Sequence, residues 1–69
     1  MKNRIRAERA ELKLTQAQLA ETVQVSRQTI NTIEQGKDKP SVMLALKLAS
    51  TFSKPVTAIF ELEESDWDC

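Results

Sequence analysis

An all-helical domain is what this sequence predicts, on three observations. Its 69 residues include one glycine and two prolines, and few segments pattern as strands. Apolar residues recur at three- and four-residue spacing. Serine or threonine stands at the head of four of the five segments so marked, where a helix needs a side-chain acceptor for its unpaired N–H groups. The length allows one domain, and so small a core calls for tight helical packing or a second subunit. Hydrophobic residues make up 41% of the chain, too many for a chain disordered by composition.

The first helix is predicted over residues 2–12, where Ile5, Arg9 and Leu12 share a face and Leu14 continues the apolar pattern just beyond. Thr15 opens the second: Thr15 and Gln18 have the spacing of a capping box, and Leu19, Ala20 and Val23 form the inner face. Ala20 is small enough to admit another helix closely. Gln24, Val25 and Ser26 make the turn, with Val25 plugging the angle and Ser26 capping a third helix that runs to about Gln35. Gly36 fits the left-handed residue that ends a helix. After the polar connector Lys37-Asp38-Lys39-Pro40, Ser41 caps a fourth helix to about Phe52. Its Val42, Leu44, Ala45, Leu46, Leu48, Ala49 and Phe52 cover more than half the wheel, as expected of a central helix or one whose second side meets a partner. Ser53-Lys54-Pro55 breaks the chain, and Thr57 is the cap candidate of a short fifth helix holding Ile59, Phe60 and reaching toward Leu62. Glu63 to Cys69 form an acidic tail expected to fray, in which Trp67 is either exposed or docked.

Net charge is zero, but it is unevenly spread. Residues 1–40 carry eight Lys/Arg against five Asp/Glu, whereas residues 41–69 carry two against five, all five acids lying in Glu61–Asp68. A basic front part is masked by an acidic end. No apolar run approaches the ~20 residues needed to span a bilayer, and the N-terminal residues lack the apolar core of a signal peptide. The expectation is a cytoplasmic protein with no membrane association. Cys69 is the one cysteine and is expected to be a reduced thiol. With no histidine, the usual general base and the commonest metal ligand are missing; one cysteine makes no zinc cluster, and there is no glycine-rich phosphate loop. Neither enzyme, metal nor cofactor is expected.

The informative stretch is Leu14 to Gly36. On a helical wheel Arg27, Gln28, Asn31, Thr32 and Gln35 fall within an arc of ~140°, opposite Thr29, Ile30 and Ile33. The polar face is rich in amides rather than in the Glu/Lys pairs of a merely solvated helix. Arginine suits guanine O6/N7 and glutamine suits adenine N6/N7, each good bidentate pair worth ~1–3 kcal/mol of discrimination. Duplex DNA is the ligand this face fits.

Leu14-Thr15-Gln16, Leu19-Ala20, Val25-Ser26-Arg27-Gln28-Thr29-Ile30, Ile33-Glu34, Gly36 and Pro40-Ser41, in this order and spacing, resemble the Cro/C1-type helix-turn-helix regulators, also called the xenobiotic-response-element family. The resemblance covers about residues 3–62. It implies a compact five-helix, lambda-repressor-like DNA-binding domain over residues 1–62, followed by the acidic tail 63–69. It also implies that helix 3 enters the major groove while helix 2 lies across the backbone. Carried over by position, Gln16 meets a phosphate. Arg27, Gln28 and Thr32 face base edges, with Asn31 near the same surface. Gln35, Lys37 and Lys39 reach flanking phosphates, and Ser26, the cap of helix 3, joins the DNA-facing set. Arg9 and Glu34 match a partly buried salt bridge between helices 1 and 3. The turn position usually held by glycine holds Gln24, which costs roughly 1 kcal/mol if φ is positive there. No inducer-binding domain is expected within so short a sequence.

The function expected is a sequence-specific duplex-DNA-binding transcriptional regulator, in the role of a repressor, acting as a homodimer through helices 4 and 5. The alternatives are an antitoxin or partner-titrated regulator whose tail docks on a second protein, and a protein-bridging module without specific DNA binding.

Overall fold

The computed structural model describes residues 1–67; Asp68 and Cys69, and with them the expectation for the Cys69 thiol, lie outside the described residues. Among the described residues the elements are β1 (Lys2–Asn3), α1 (Ile5–Glu11), α2 (Gln16–Val23), α3 (Arg27–Glu34), α4 (Val42–Phe52), α5 (Val56–Ile59), β2 (Phe60–Glu61) and a 3-10 turn, Glu64–Trp67. The five helices thus stand in the predicted order, joined by a two-residue antiparallel pairing of Lys2 with Glu61 and Asn3 with Phe60.

The helix starts follow from side-chain acceptors. Thr15 Oγ1 accepts the Gln18 N–H at 3.0 Å while Gln18 Oε1 accepts the Thr15 N–H at 2.8 Å, completing the capping box. Ser26 Oγ accepts from the Thr29 N–H and Ser41 Oγ from the Leu44 N–H, each at 3.1 Å. Two expected starts are corrected. The first helix begins at Ile5, not Lys2, because residues 2–4 are held extended: the Arg4 N–H donates to Ile59 O at 2.8 Å, and Asn3 Oδ1 takes the Ile5 N–H at 3.2 Å. The fifth helix begins at Val56, with Pro55 rather than Thr57 at the cap position and no side-chain cap bond. It ends at Ile59, so Phe60 lies in β2 and Leu62 lies beyond it.

Four of the helices end alike. After α1, α2, α3 and α4 the chain turns through a left-handed residue, Lys13 (φ 56°), Gln24 (φ 63°), Gly36 (φ 74°) and Ser53 (φ 55°). Each time two N–H groups reach back to the last carbonyls: Lys13 to Ala10 and Leu14 to Arg9, Gln24 to Glu21 and Val25 to Ala20, Gly36 to Ile33 and Lys37 to Thr32, Ser53 to Ser50 and Lys54 to Ala49. The condition under which Gln24 carries a cost, a positive φ, is therefore met, and two further non-glycine residues share it.

Ile5, Leu19, Val23, Ile30, Ile33, Leu48 and Ile59 are fully buried, joined by Ala20, Leu44, Ala49, Phe52 and Phe60. Burying each large aliphatic side chain contributes about 1.5–3 kcal/mol. α2 packs on α3 and α4, and α4 packs on α5. Leu12 is exposed rather than inward. Its place on the inner face of the first helix was expected from periodicity alone, but the helix ends at Glu11.

The acidic segment is docked through Asp66, not frayed, and Trp67 beside it is exposed. Asp66 Oδ2 accepts the Glu63 N–H at 2.8 Å and pairs with the Met1 amino group at 3.1 Å, while Asp66 Oδ1 pairs with Lys39 Nζ at 3.1 Å. Only 4% of the Asp66 side chain stays exposed. The Glu63 N–H, followed by Lys39 and the amino group, holds the Asp66 carboxyl down to about 2. No helix is long and apolar enough to cross a membrane among the described residues.

Candidate nucleic-acid interface

α3 divides as its wheel requires. Ile30 and Ile33 are buried, Arg27, Gln28 and Gln35 are exposed, and Asn31 and Thr32 are half-buried between them. Gln28 and Thr32 lie one turn apart and support each other. Thr32 Oγ donates to the Gln28 carbonyl at 2.7 Å, and Gln28 Nε2 donates to Thr32 Oγ1 at 3.4 Å. The second contact is long for a hydrogen bond and is easily exchanged for an outside acceptor. Thr32 has its proton committed to its own helix, so toward a ligand it offers its methyl group. Ser26 lies at the exposed head of α3, its hydroxyl occupied by the Thr29 N–H and, at 2.9 Å, by Thr29 Oγ1.

α2 brings Gln16 beside α3. Gln16 Nε2 and Gln35 Nε2 both donate to Asn31 Oδ1, at 3.2 and 3.3 Å. Three of the sequence-nominated side chains therefore form one amide cluster. Gln16 also lines a shallow groove with Arg27 and Lys13, so the first residues of α2 and α3 share one surface. Beneath it lies the ion pair expected from the resemblance. Arg9 Nε and Nη2 reach the two Glu34 oxygens at 3.0 and 3.2 Å, and Arg9 Nη1 donates to Leu14 O at 2.9 Å. With the two side chains 17% and 6% exposed, this pair ties α1 to the end of α3 and fixes the tilt of the exposed face. Asn3 Nδ2 adds a second tie, donating to Ile33 O at 2.8 Å.

Lys37 and Lys39 sit exposed on the connector after α3. Lys37 makes no ion pair among the described residues, but Lys39 is held by Asp66. Charge composition alone did not show that an acid 27 positions downstream would reach it. Sequence reading also passed over two features. Arg6, on α1, opens into the cleft bounded by Arg9, Gln16, Asn31, Glu34 and Gln35. Met43, absent from the stripe assigned to helix 4, is 67% exposed beside Val42 at 78% and Leu46 at 57%. The spacing of 42, 43 and 46 on one helix face was a signal available beforehand. Among the described residues no group of three His, Cys, Asp or Glu is placed to hold a metal ion.

Away from α3, Lys54 Nζ after α4 reaches the buried Glu8 carboxylate of α1 at 2.7 and 2.8 Å. The contact lowers the Glu8 carboxyl and raises the Lys54 amine.

Residues 5–59 match the helix-turn-helix family model. The uncharacterized HTH-type transcriptional regulator YgzD of Bacillus subtilis is 44% identical over 66 residues, covering 96% of this chain and 100% of the relative. An uncharacterized HTH-type transcriptional regulator of Methanocaldococcus jannaschii is 46% identical over 66 residues with the same coverage, and another of Archaeoglobus fulgidus is 41% identical over 69 residues, covering 99% of this chain and 97% of its own. The crystal structure of the clp gene regulator ClgR from Corynebacterium glutamicum superposes with a TM-score of 0.72 at 26% identity, covering 78% of this chain, which spans 57% of that one.

Proposed function

Because the chain belongs to the Cro/C1-type helix-turn-helix family of DNA-binding transcriptional regulators, we propose that it is a cytoplasmic repressor that reads duplex DNA with α3 in the major groove. The observation that carries this reading is the division of α3, which buries Ile30 and Ile33 and leaves Arg27 and Gln28 exposed at its N-terminal end. In this reading Arg27 and Gln28 contact base edges and the Thr32 methyl packs on a thymine methyl. Ser26, Gln16, Gln35 and Lys37 serve the flanking backbone, and Lys39 joins them on leaving Asp66. Phosphate contacts supply affinity that falls with salt, and base contacts supply the choice of site.

One such module buries little surface on DNA. A homodimer doubles it and reads two half-sites about one helical turn, ~34 Å, apart. Val42, Met43 and Leu46 on α4, with Leu62 beyond α5, are exposed apolar side chains that a second copy would cover. The exposed Trp67 on the acidic turn favours one secondary reading, a regulator titrated by a protein partner that docks on this end.

Binding-site selection from a random duplex pool tests the proposal. A recovered site with two-fold symmetry supports the dimeric reader. Gln28→Ala is expected to weaken the preferred site by about 1–3 kcal/mol more than random DNA. Equal weakening on both sinks the base-reading role, and absence of any binding at low salt sinks the regulator itself.

A further inference from the structure

We infer that the cleft where α1, α2 and α3 meet is a clamp for one phosphodiester of the DNA backbone. Arg6 supplies its charge and the Asn31 amide nitrogen an oriented donor, so that Asn31 holds the backbone and does not read a base. The inference rests on the DNA-binding reading above and adds to it a cation outside the helix-turn-helix.

The cleft has a volume of about 320 Å³ and is lined by Arg6, Arg9, Gln16, Asn31, Glu34 and Gln35. Its one acid, Glu34, has both oxygens taken by the Arg9 guanidinium. Arg6 is exposed, stands one turn before Arg9 on α1, and makes no ion pair among the described residues. The cleft therefore carries one unneutralised positive charge. The remaining walls are amides whose orientation is set. Gln16 and Gln35 both donate to Asn31 Oδ1, which turns the Asn31 carbonyl inward to its neighbours and leaves its NH2 with no acceptor among the described residues. An adenine-reading asparagine must offer a donor and an acceptor together, and here the acceptor is already in use. A guanidinium beside an NH2 whose two hydrogens are unclaimed matches the acceptor-only oxygens of a phosphodiester.

The position of the cleft agrees with this chemistry. It lies between Gln16 on the α2 side and Gln35 at the end of α3, flanking the exposed face rather than at its Arg27–Gln28 end. A groove-bound α3 would bring a backbone strand to this flank.

The test measures affinity for the selected duplex and for a random duplex across a salt series, using the full chain. Arg6→Gln should fold with wild-type melting, since it breaks no ion pair. It should reduce the slope of log affinity against log salt by ~0.9, the loss of one phosphate contact, so that the affinity ratio between 50 and 200 mM salt shrinks about three- to fourfold. The weakening should be the same on both duplexes, and Arg6→Lys should restore the slope. Asn31→Asp keeps the acceptors for Gln16 and Gln35 while removing the outward donor; it should weaken both duplexes equally and leave the selected sequence unchanged. An unaltered slope in Arg6→Gln, or a changed base in the site selected by Asn31→Asp, overturns the clamp while the wild-type protein still binds. If the wild-type protein binds no duplex at low salt, the DNA-binding reading itself has failed and the clamp falls with it.

Discussion

Three helices end on a residue that carries a Cβ into left-handed backbone, and replacing those residues by glycine should stabilise the protein. Lys13, Gln24 and Ser53 have φ of 56°, 63° and 55°, and the fourth position of the same kind, Gly36, has φ 74°. For an L-residue the left-handed region costs roughly 1–2 kcal/mol. Glycine removes that cost but loses about 0.4–1 kcal/mol to the greater freedom of its unfolded chain. The net gain is about 0.5–1 kcal/mol per site. Side-chain contacts barely offset it: all three residues are exposed, and Gln24 makes only a 3.4 Å contact with Lys47 Nζ. The three sites close different helices, so the gains should add, to about 1.5–3 kcal/mol for the triple variant. At ~4–8 °C per kcal/mol for a domain of this size, Tm should rise by roughly 6–24 °C. Thermal melts followed by far-ultraviolet circular dichroism, with urea titrations at fixed temperature, measure it. The mirror-image control is Gly36→Ala. The added Cβ would meet nothing nearer than Met1 O at 3.9 Å, so the expected loss of about 1 kcal/mol is conformational. Gln24→Ala, which keeps the Cβ, should gain nothing. A Gln24→Gly variant no more stable than Gln24→Ala would refute the reasoning, as would a neutral Gly36→Ala.

Other outcomes follow from the ion pairs and the apolar face. Arg9→Ala strands Glu34 against the protein and frees the Leu14 carbonyl. It should destabilise by about 3 kcal/mol, the low end for a broken buried pair because Arg9 keeps some exposure, and Arg9→Lys should recover only part in the same denaturant titration. The Asp66 carboxyl lies near 2 in the folded chain against an ordinary 3.8, so its contribution to stability is full above about pH 4 and is lost as pH falls from 4 to 2. Asp66→Asn should flatten that acid limb in melts across pH, and an unchanged limb would dissociate the docked turn from acid stability. The same variant releases Lys39 and should raise affinity for random duplex at low salt. Leu46→Lys should lower the apparent mass by sedimentation equilibrium if α4 carries the dimer contact, and a wild-type protein that sediments as a monomer throughout would remove that interface.

Helix number, order and most starts were legible because they depend on local chemistry. A cap serine or threonine bonds an N–H three residues away, and the buried faces of α2 and α3 repeat at helical spacing. For the same reason the exposed set on α3 could be named from the wheel, and the ion pair of Arg9 with Glu34 from the family pattern. Long-range pairing was not legible. Residues 2–4 fit a helix by periodicity, yet the carbonyl of Ile59 and the strand Phe60–Glu61 claim their backbone. The acidic end looked featureless until Asp66 met Lys39.

What the sequence determined by itself is the helix-turn-helix and its chemistry: the capping box of α2, the serine cap of α3, the turn at Gln24, the buried isoleucines of α3 and the amide-rich face opposite them. Each is a matter of neighbours within four or five residues. Only the tertiary structure decided how that face is equipped. It brought Arg6 from α1 beside the amides of α2 and α3, turned Asn31 by giving its carbonyl two donors, and took Lys39 into a pair with Asp66. Those neighbours lie up to 29 positions apart, and their energy appears only once the core has closed and set the helices against one another.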